Sequence, residues 1–311
     1  MALTFTTFDV FTKTPFRGNP LGIVSVPADA QQLTQDQKQL IARELNLSET
    51  VFLHEQTPAD IRARTARIDI FTPRAEVPFA GHPTVGTANY LLHHLRLGSA
   101  KILGTRAGPV PFFSQADGAQ VAVAHNFHMH KAAVRGHPVV SIVKGMTAVM
   151  ARVPDLDALR AQTANLVGAE NTFAAAAAAL LDEGWRSGPV VTYFYVDMGR
   201  AADGTTTTTR KLRARNLGSR EDPATGSSAA GLCAMLSLLE DGGEGDSTGS
   251  ATRSFEITQG VEMGRPSEIR VRVTLNAARD GIEEVLISGD AVKVLEGTVP
   301  IPSPETTVKP E

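Results

Sequence analysis

Alternating apolar and polar positions predict a strand from Thr4 to Val10, and the apolar run Leu21 to Val26 predicts a second. Pro15 to Pro20 between them is turn chemistry. Thr34 followed by Gln37 is a capping-box signal. It predicts a helix to about Leu45, with Leu40, Ile41 and Leu45 on one face and Asn46 as its stop. Leu47 to Leu53 reads as an apolar strand interrupted by a single carboxylate, Glu49. Ile61 to Ile70 alternates and predicts another strand; residues 84–95 predict a helix. Short strands are expected at Lys101–Leu103 and Gln120–Val123, with Gly98, Gly104, Gly108 and Gly118 as punctuation. Many short strands and few helices predict a mostly antiparallel α+β arrangement.

The pattern then starts again. Val139–Val143 and Thr147–Val153 are strand-like, Asp155–Val167 and the alanine-rich Phe173–Leu181 helix-like, and Val190–Met198 a strong strand. Thr205–Thr209, beside Asp203 and Gly204, predicts a hairpin tip, and Asp241–Thr252 a flexible surface loop. Strands are expected at Phe255–Ile257, Glu268–Leu275 and Glu284–Ser288, with a disordered tail after Pro300. A domain boundary is expected near residues 125–137. This gives halves 1–130 and 131–289, the first also receiving the C-terminal segment 290–311.

Two stretches carry the repetition most clearly, Phe71 to Gly86 and Ser219 to Gly231. Glu76 aligns with Glu221, Pro78 with Pro223, Gly81 with Gly226 and Gly86 with Gly231, at one constant offset and without a gap. Each copy precedes an apolar helix-like run, Ala88–Leu92 or Leu232–Leu236. A repeat this widely spaced indicates two similar halves rather than a solenoid. Each copy reads as a loop ending at a helix N-terminus, where glycine permits close backbone approach and main-chain N–H groups attract an anion. Pro83 suits a first helical turn. If the halves pack face to face, both helix starts can point at one small carboxylate. Two ordinary loop-to-helix turns are the alternative, and the duplication argues against it.

Glu49 is the anomaly of the first half. A carboxylate at the mouth of a buried strand is costly unless paired or solvated, and burial would raise its pKa toward the general acid/base range. An exposed strand start explains it equally, and the residues alone leave both readings open. His125, His128 and His130 invite a metal reading, as does the pair His93–His94. No cysteine or carboxylate sits nearby in sequence and structural zinc sites show clustered ligand pairs, so no metal is expected.

Composition narrows the class. For 311 residues, about 150 per domain suggests two domains. A net charge of −3 offers no basic face for nucleic acid. No apolar run reaches the ~20 residues of a membrane span, and Met1–Lys13 lacks the basic start and apolar core of a secretory signal. The single cysteine, Cys233, fits a reducing compartment, so the cytosol is expected.

Several of these segments together resemble the PhzF-like family, named for a phenazine-biosynthesis isomerase. They are Gly18–Pro20, Leu47–Thr50, Phe71–Pro73, Glu76–Thr84, Glu221–Ser227, Gln259–Ser267 and Ile287–Gly289, in the family's order from about residue 4 to 297. The resemblance implies the diaminopimelate epimerase-like fold, with two similar halves each wrapping an antiparallel barrel-like sheet round a central helix and the site in the cleft. It implies Glu49 as the acid/base, with His82 and Asp222 as catalytic partners and Gly81, Gly226, Ser227 and Asn19 binding substrate. It also implies a cofactor-free homodimer.

The expected activity is a cofactor-independent isomerase. Glu49 would take a proton from an activated carbon of a small carboxylate-bearing substrate and return it to another carbon. Main-chain N–H groups at the two loops would stabilise the growing charge. Dihydro-3-hydroxyanthranilate is one substrate type the resemblance implies, although the fold serves many small acids. The amino-acid racemases of this fold carry a cysteine just before each loop glycine. Here those places hold Ala80 and Thr225, so two-base inversion is not expected. A catalytically silent anion-binding or interaction protein is the remaining alternative; the intact Glu49, His82, Asp222 and Ser227 set argues against it.

Overall fold

The computed structural model describes residues 2–28, 33–116, 118–202, 208–240 and 251–303. Most of the expected hairpin tip at 205–209, nearly all of the 241–252 loop and the tail past residue 303 lie outside them. Residues up to Ala122 together with the segment from Ser288 onward form one compact unit, and Val123–Ile287 form another.

In the first unit, β1 (Ala2–Val10) pairs antiparallel with β2 (Asn19–Val26), which runs parallel to β3 (Glu49–His54). The crossover carries α1 (Gln35–Leu45), opened by the expected Thr34–Gln37 capping box and closed by Asn46 at φ 48°. It buries Ile41 and Ala42 against Leu3, Val24, Phe52 and Phe71. The expected strand at 61–70 is shortened, because Pro58–Arg62 forms a helix, α2. Thr57 caps that helix through Asp60, and Pro58 fits its first turn. Then β4 (Thr65–Phe71) pairs antiparallel with β3 and with β5 (Glu76–Val77). Next comes α3 (Gly81–Asn89), buried along its whole length and extended by a π turn over Tyr90–His94. The strand β6 (Ile102–Thr105) runs parallel to β4, and β7 (Gly108–Gln115) and β8 (Gly118–Ala122) follow as antiparallel neighbours.

The second unit begins with β9 (His128–Val134), antiparallel to β10 (His137–Val143). From β10 on, it repeats the same pairing scheme. β10 is antiparallel to β11 (Met146–Arg152), and β11 parallel to β12 (Val190–Ala202). The crossover holds two short helices, α4 (Leu156–Arg160) and α5 (Ala175–Ala178). β13 (Thr208–Leu217) pairs antiparallel with β12 and with β14 (Glu221–Asp222). The helix α6 (Gly226–Glu240) follows, buried from Gly226 to Ser237. Then β15 (Thr252–Gln259) runs parallel to β13, with β16 (Ser267–Leu275) antiparallel to it, before β17 (Ile282–Gly289). The last strand, β18 (Ala291–Pro300), pairs antiparallel with β1 in the first unit.

The α+β class and the internal duplication expected from the sequence are therefore present. Most strand neighbours are antiparallel, as expected, and the sheets are mixed because each unit also holds two parallel pairs. In each unit a crossover and a buried helix each separate two strands that run parallel, β2–β3 and β4–β6, or β11–β12 and β13–β15. The two helices expected in the second half are cut short. After α4 the chain is diverted because Asn165 bonds Thr172 and the Val190 carbonyl, while the Leu166 N–H donates to Thr192. The alanine-rich segment makes one α-helical turn and then bonds of the tighter kind, such as Leu181 N–H to the Ala178 carbonyl. Among the described residues no helix is long and apolar enough to cross a membrane.

Candidate active site

In the first unit, three chain segments bring Asn19, Glu49, Gly81 and His82 together. Asn19 opens β2 and Glu49 opens the adjacent parallel strand, so both residues sit at the same edge of the sheet. Gly18 makes the turn ahead of Asn19 at φ +67°, and a Cβ there would lie 2.3 Å from the Val10 carbonyl oxygen. Gly81 and His82 begin α3. Ser48 Oγ donates to Asn19 Oδ1 at 3.1 Å, which turns the Asn19 amide nitrogen toward His82 Nδ1, 3.3 Å away. Glu49 Oε2 stands 3.4 Å from the same Nδ1.

Charge decides what that last contact is. Burial lowers the His82 pKa to about 3, against a weaker upward pull from a hydrogen bond to the Pro20 carbonyl. At neutral pH the contact is therefore between a carboxylate and an uncharged imidazole, and not an ion pair. His82 Nε2 is buried without a partner among the described residues. Glu49 is partly exposed, with 19% of its side-chain surface accessible. Its strand position is the expected one. Ala80, the N-cap of α3, supplies no side-chain cap bond, and Thr84 Oγ1 turns back to the Ala80 and Gly81 carbonyls. Such a helix start favours an anion.

In the second unit, Asp222, Gly226 and Ser227 lie along one loop, from the end of β14 to the first residues of α6. Thr225 Oγ1 donates to Asp222 Oδ2 at 2.6 Å. Gln259, fully buried at the end of β15, holds the whole turn. Its Nε2 donates to the Asp222 carbonyl at 2.7 Å and to Thr225 Oγ1 at 3.1 Å; its Oε1 accepts from the Thr225 N–H at 3.2 Å and the Tyr193 hydroxyl at 2.9 Å. Arg215 clamps Glu221 with two 2.8 Å bonds and reaches the Gln162 carbonyl at 2.6 Å. The repeated glutamates are thus structural: Glu221 bonds Arg215, and Glu76 accepts from Gln35 and Arg106.

Sequence reasoning gave no role to Gln259, Ser48 or Arg215. Gln259 carries one visible signal, a polar residue closing an alternating strand just before a glycine. Cys233 is buried in α6, where burial pushes its thiol well above the ordinary range. Most of the histidines flagged in the sequence are tied locally. His125 bonds the Val123 and Ile282 carbonyls, His93 reaches the Gly118 carbonyl, and His94 packs on Phe8. His128 and His130 differ. The expectation that no carboxylate accompanies them is corrected, because the fold brings Asp182 to both.

Known proteins share this architecture. The family profile described as "Phenazine biosynthesis-like protein" matches residues 8–297. An uncharacterized isomerase of Mesorhizobium japonicum is 32% identical over 93% of this chain and 96% of its own length. The trans-2,3-dihydro-3-hydroxyanthranilate isomerase of Pseudomonas chlororaphis is 31% identical over 94% of this chain and 97% of its own. The Bacillus anthracis phenazine biosynthesis protein of the PhzF family superposes with a TM-score of 0.70 at 23% identity, covering 97% of this chain and all of that one. With the match running from β1 to β18, the chain belongs to the phenazine biosynthesis-like (PhzF) family of isomerases.

Proposed function

We propose that the chain is a cofactor-independent isomerase that moves a proton on a small carboxylate-bearing substrate, with Glu49 as its single acid/base. The observation that carries this reading is the contact of Glu49 Oε2 with a buried, uncharged His82 at the start of α3. Glu49 takes the proton from a carbon next to the conjugated system, and the freed electron pair moves toward the substrate carboxylate. Glu49 then returns the proton to a second carbon, so the enzyme ends as it began. His82, buried and uncharged, holds Glu49 Oε2 at 3.4 Å through Nδ1 and so positions the carboxylate. The main-chain N–H of Gly81, at the start of α3, bears the growing negative charge, and one such donor is worth ~3 kcal/mol. Asp222, oriented by Thr225, receives an amino or hydroxyl group.

An amino-acid racemase needs a second base where Ala80 and Thr225 stand. Ala80 has no titratable group, and the Thr225 hydroxyl is engaged by Asp222. The relatives named above support dihydro-3-hydroxyanthranilate as the first substrate to try; a homodimer in the cytoplasm completes the proposal. The test is incubation of that compound and related unsaturated acids in heavy water. Deuterium uptake by the wild type, abolished in Glu49→Gln, is the expected result. Undiminished uptake in the variant would exclude Glu49 as the base.

A further inference from the structure

We propose that His128, His130 and Asp182 form a binding site for a borderline divalent cation, zinc first. The residues belong to the second unit and to none of the steps above. His128 and His130 lie on the same face of β9, and Asp182 follows α5. His128 Nε2 is 2.8 Å and His130 Nδ1 3.9 Å from Asp182 Oδ2, and the three ligand atoms all lie within 4.8 Å of one another. Two nitrogens and an oxygen bound to tetrahedral zinc at about 2.0–2.1 Å stand about 3.3 Å apart. The observed spacings bracket that value.

The surroundings hold each ring as a metal ligand is held. His130 Nε2 lies 2.9 Å from Ser141 Oγ, which is 2.6 Å from Thr147 Oγ1. This buried hydroxyl pair keeps the proton on Nε2 and leaves the Nδ1 lone pair facing Asp182, the outer-shell arrangement typical of ligating histidines. The His128 ring stacks on Trp185 at 4.7 Å and 10°. His128 and Asp182 are partly exposed, which leaves an entry path and room for water as a fourth ligand. The Asp182 N–H donates to His130 Nδ1 at 3.2 Å, and Lys131 N–H to Asp182 Oδ1 at 3.4 Å. The metal has to displace the first of these and the 2.8 Å bond of His128 Nε2 to Asp182 Oδ2, taking the place of the His128 proton, so binding weakens as pH falls.

Trp185 is the only tryptophan in the chain, so the site carries its own reporter. The experiment titrates zinc chloride into tag-free, chelator-treated full-length protein near neutral pH. It follows Trp185 fluorescence, bound zinc per chain and Tm. The expected result is about one equivalent bound with Kd ~1 μM or tighter, and a Tm that rises with zinc concentration. His128→Gln and Asp182→Asn, each checked for an unchanged zinc-free Tm, weaken binding more than ~100-fold, beyond the ~10–100-fold of an outer-shell change. Zinc uptake that is absent in the wild type, or equal in the wild type and both variants, overturns the proposal. In that case the three side chains are only a hydrogen-bonded cluster. No readout depends on turnover, so the result is independent of the isomerase reading.

Discussion

Ala80 and Thr225 occupy the same place in the two units, one residue before the first glycine of the buried helix, and they do opposite things. Ala80 leaves the start of α3 without a side-chain cap, and the neighbouring groups are a carboxylate and a neutral histidine, Glu49 and His82. Thr225 is drawn into a closed network with Asp222, Gln259 and Tyr193. The duplicated scaffold has kept its pairing order and its helix while the polar groups have diverged. One copy presents a partly exposed carboxylate beside a neutral imidazole, and the other presents a carboxylate fixed by a hydroxyl. Symmetry of fold here does not extend to symmetry of chemistry.

The sharpest way to break this comparison is to remove the charge from each side in turn. Glu49→Gln should lower proton exchange by ~10²–10⁴-fold, the usual contribution of a general acid/base, and Asp222→Asn should lower it less. Equal losses, read as initial rates of deuterium uptake, would mean that the two units share the proton chemistry.

The network of the second unit is next. Gln259→Ala removes the amide partner of the Tyr193 hydroxyl and of the Thr225 N–H, and one bond to the Asp222 carbonyl. At about 1–3 kcal/mol per buried unsatisfied group, denaturant unfolding should show a loss of several kcal/mol. A change under about 1 kcal/mol would show that water replaces the amide without cost.

The repeated glycines separate the units again. A Cβ on Gly86 would lie 2.5 Å from Leu21 Cδ2 and 2.7 Å from Val10 Cγ2. Gly86→Ala should therefore cost about 1–3 kcal/mol. At Gly231 the nearest atom is Met150 Cε at 3.2 Å, the end of a flexible chain. There the gain of up to ~1 kcal/mol in helix propensity should offset the contact, leaving stability within about 1 kcal/mol of the wild type. Equal costs at both sites, measured by denaturant unfolding, would refute the steric reading.

A further effect concerns acid stability. The His82 pKa falls from 6.5 to about 3 on folding, so the unfolded chain binds more protons between those values. His82 therefore contributes stability that is fully present above 6.5 and is lost progressively as pH falls toward 3. His82→Gln should flatten the fall of Tm across that window. An imidazole signal that titrates near 6.5 in the folded protein would contradict a neutral His82.

Local chemistry made a good part of this molecule legible. Thr34 and Gln37 announced α1 because a capping box is closed within one turn, and Asn46 ended it in the left-handed conformation that asparagine tolerates. The constant offset of Glu76, Pro78, Gly81 and Gly86 against their copies revealed the two units. Their pairing schemes then proved equivalent strand by strand. Local signals misled where distant bonds prevailed. The run from Asp155 to Val167 has helical periodicity, but Asn165 and Leu166 find partners on β12. Alternation at Ile61 was outweighed by the Thr57–Asp60 cap.

What the linear order determined by itself was most of the strands and α1, the duplication and the residue types at the two helix starts. Each of these depends on spacings of a few residues, and periodicity and capping act over that range. Only the tertiary structure decided that Gln259 would organise the loop of Asp222, that burial would strip His82 of its charge and that Asp182 would arrive beside His128 and His130. Desolvation and long-range hydrogen bonds depend on what surrounds a group in space, and sequence separation carries no record of that.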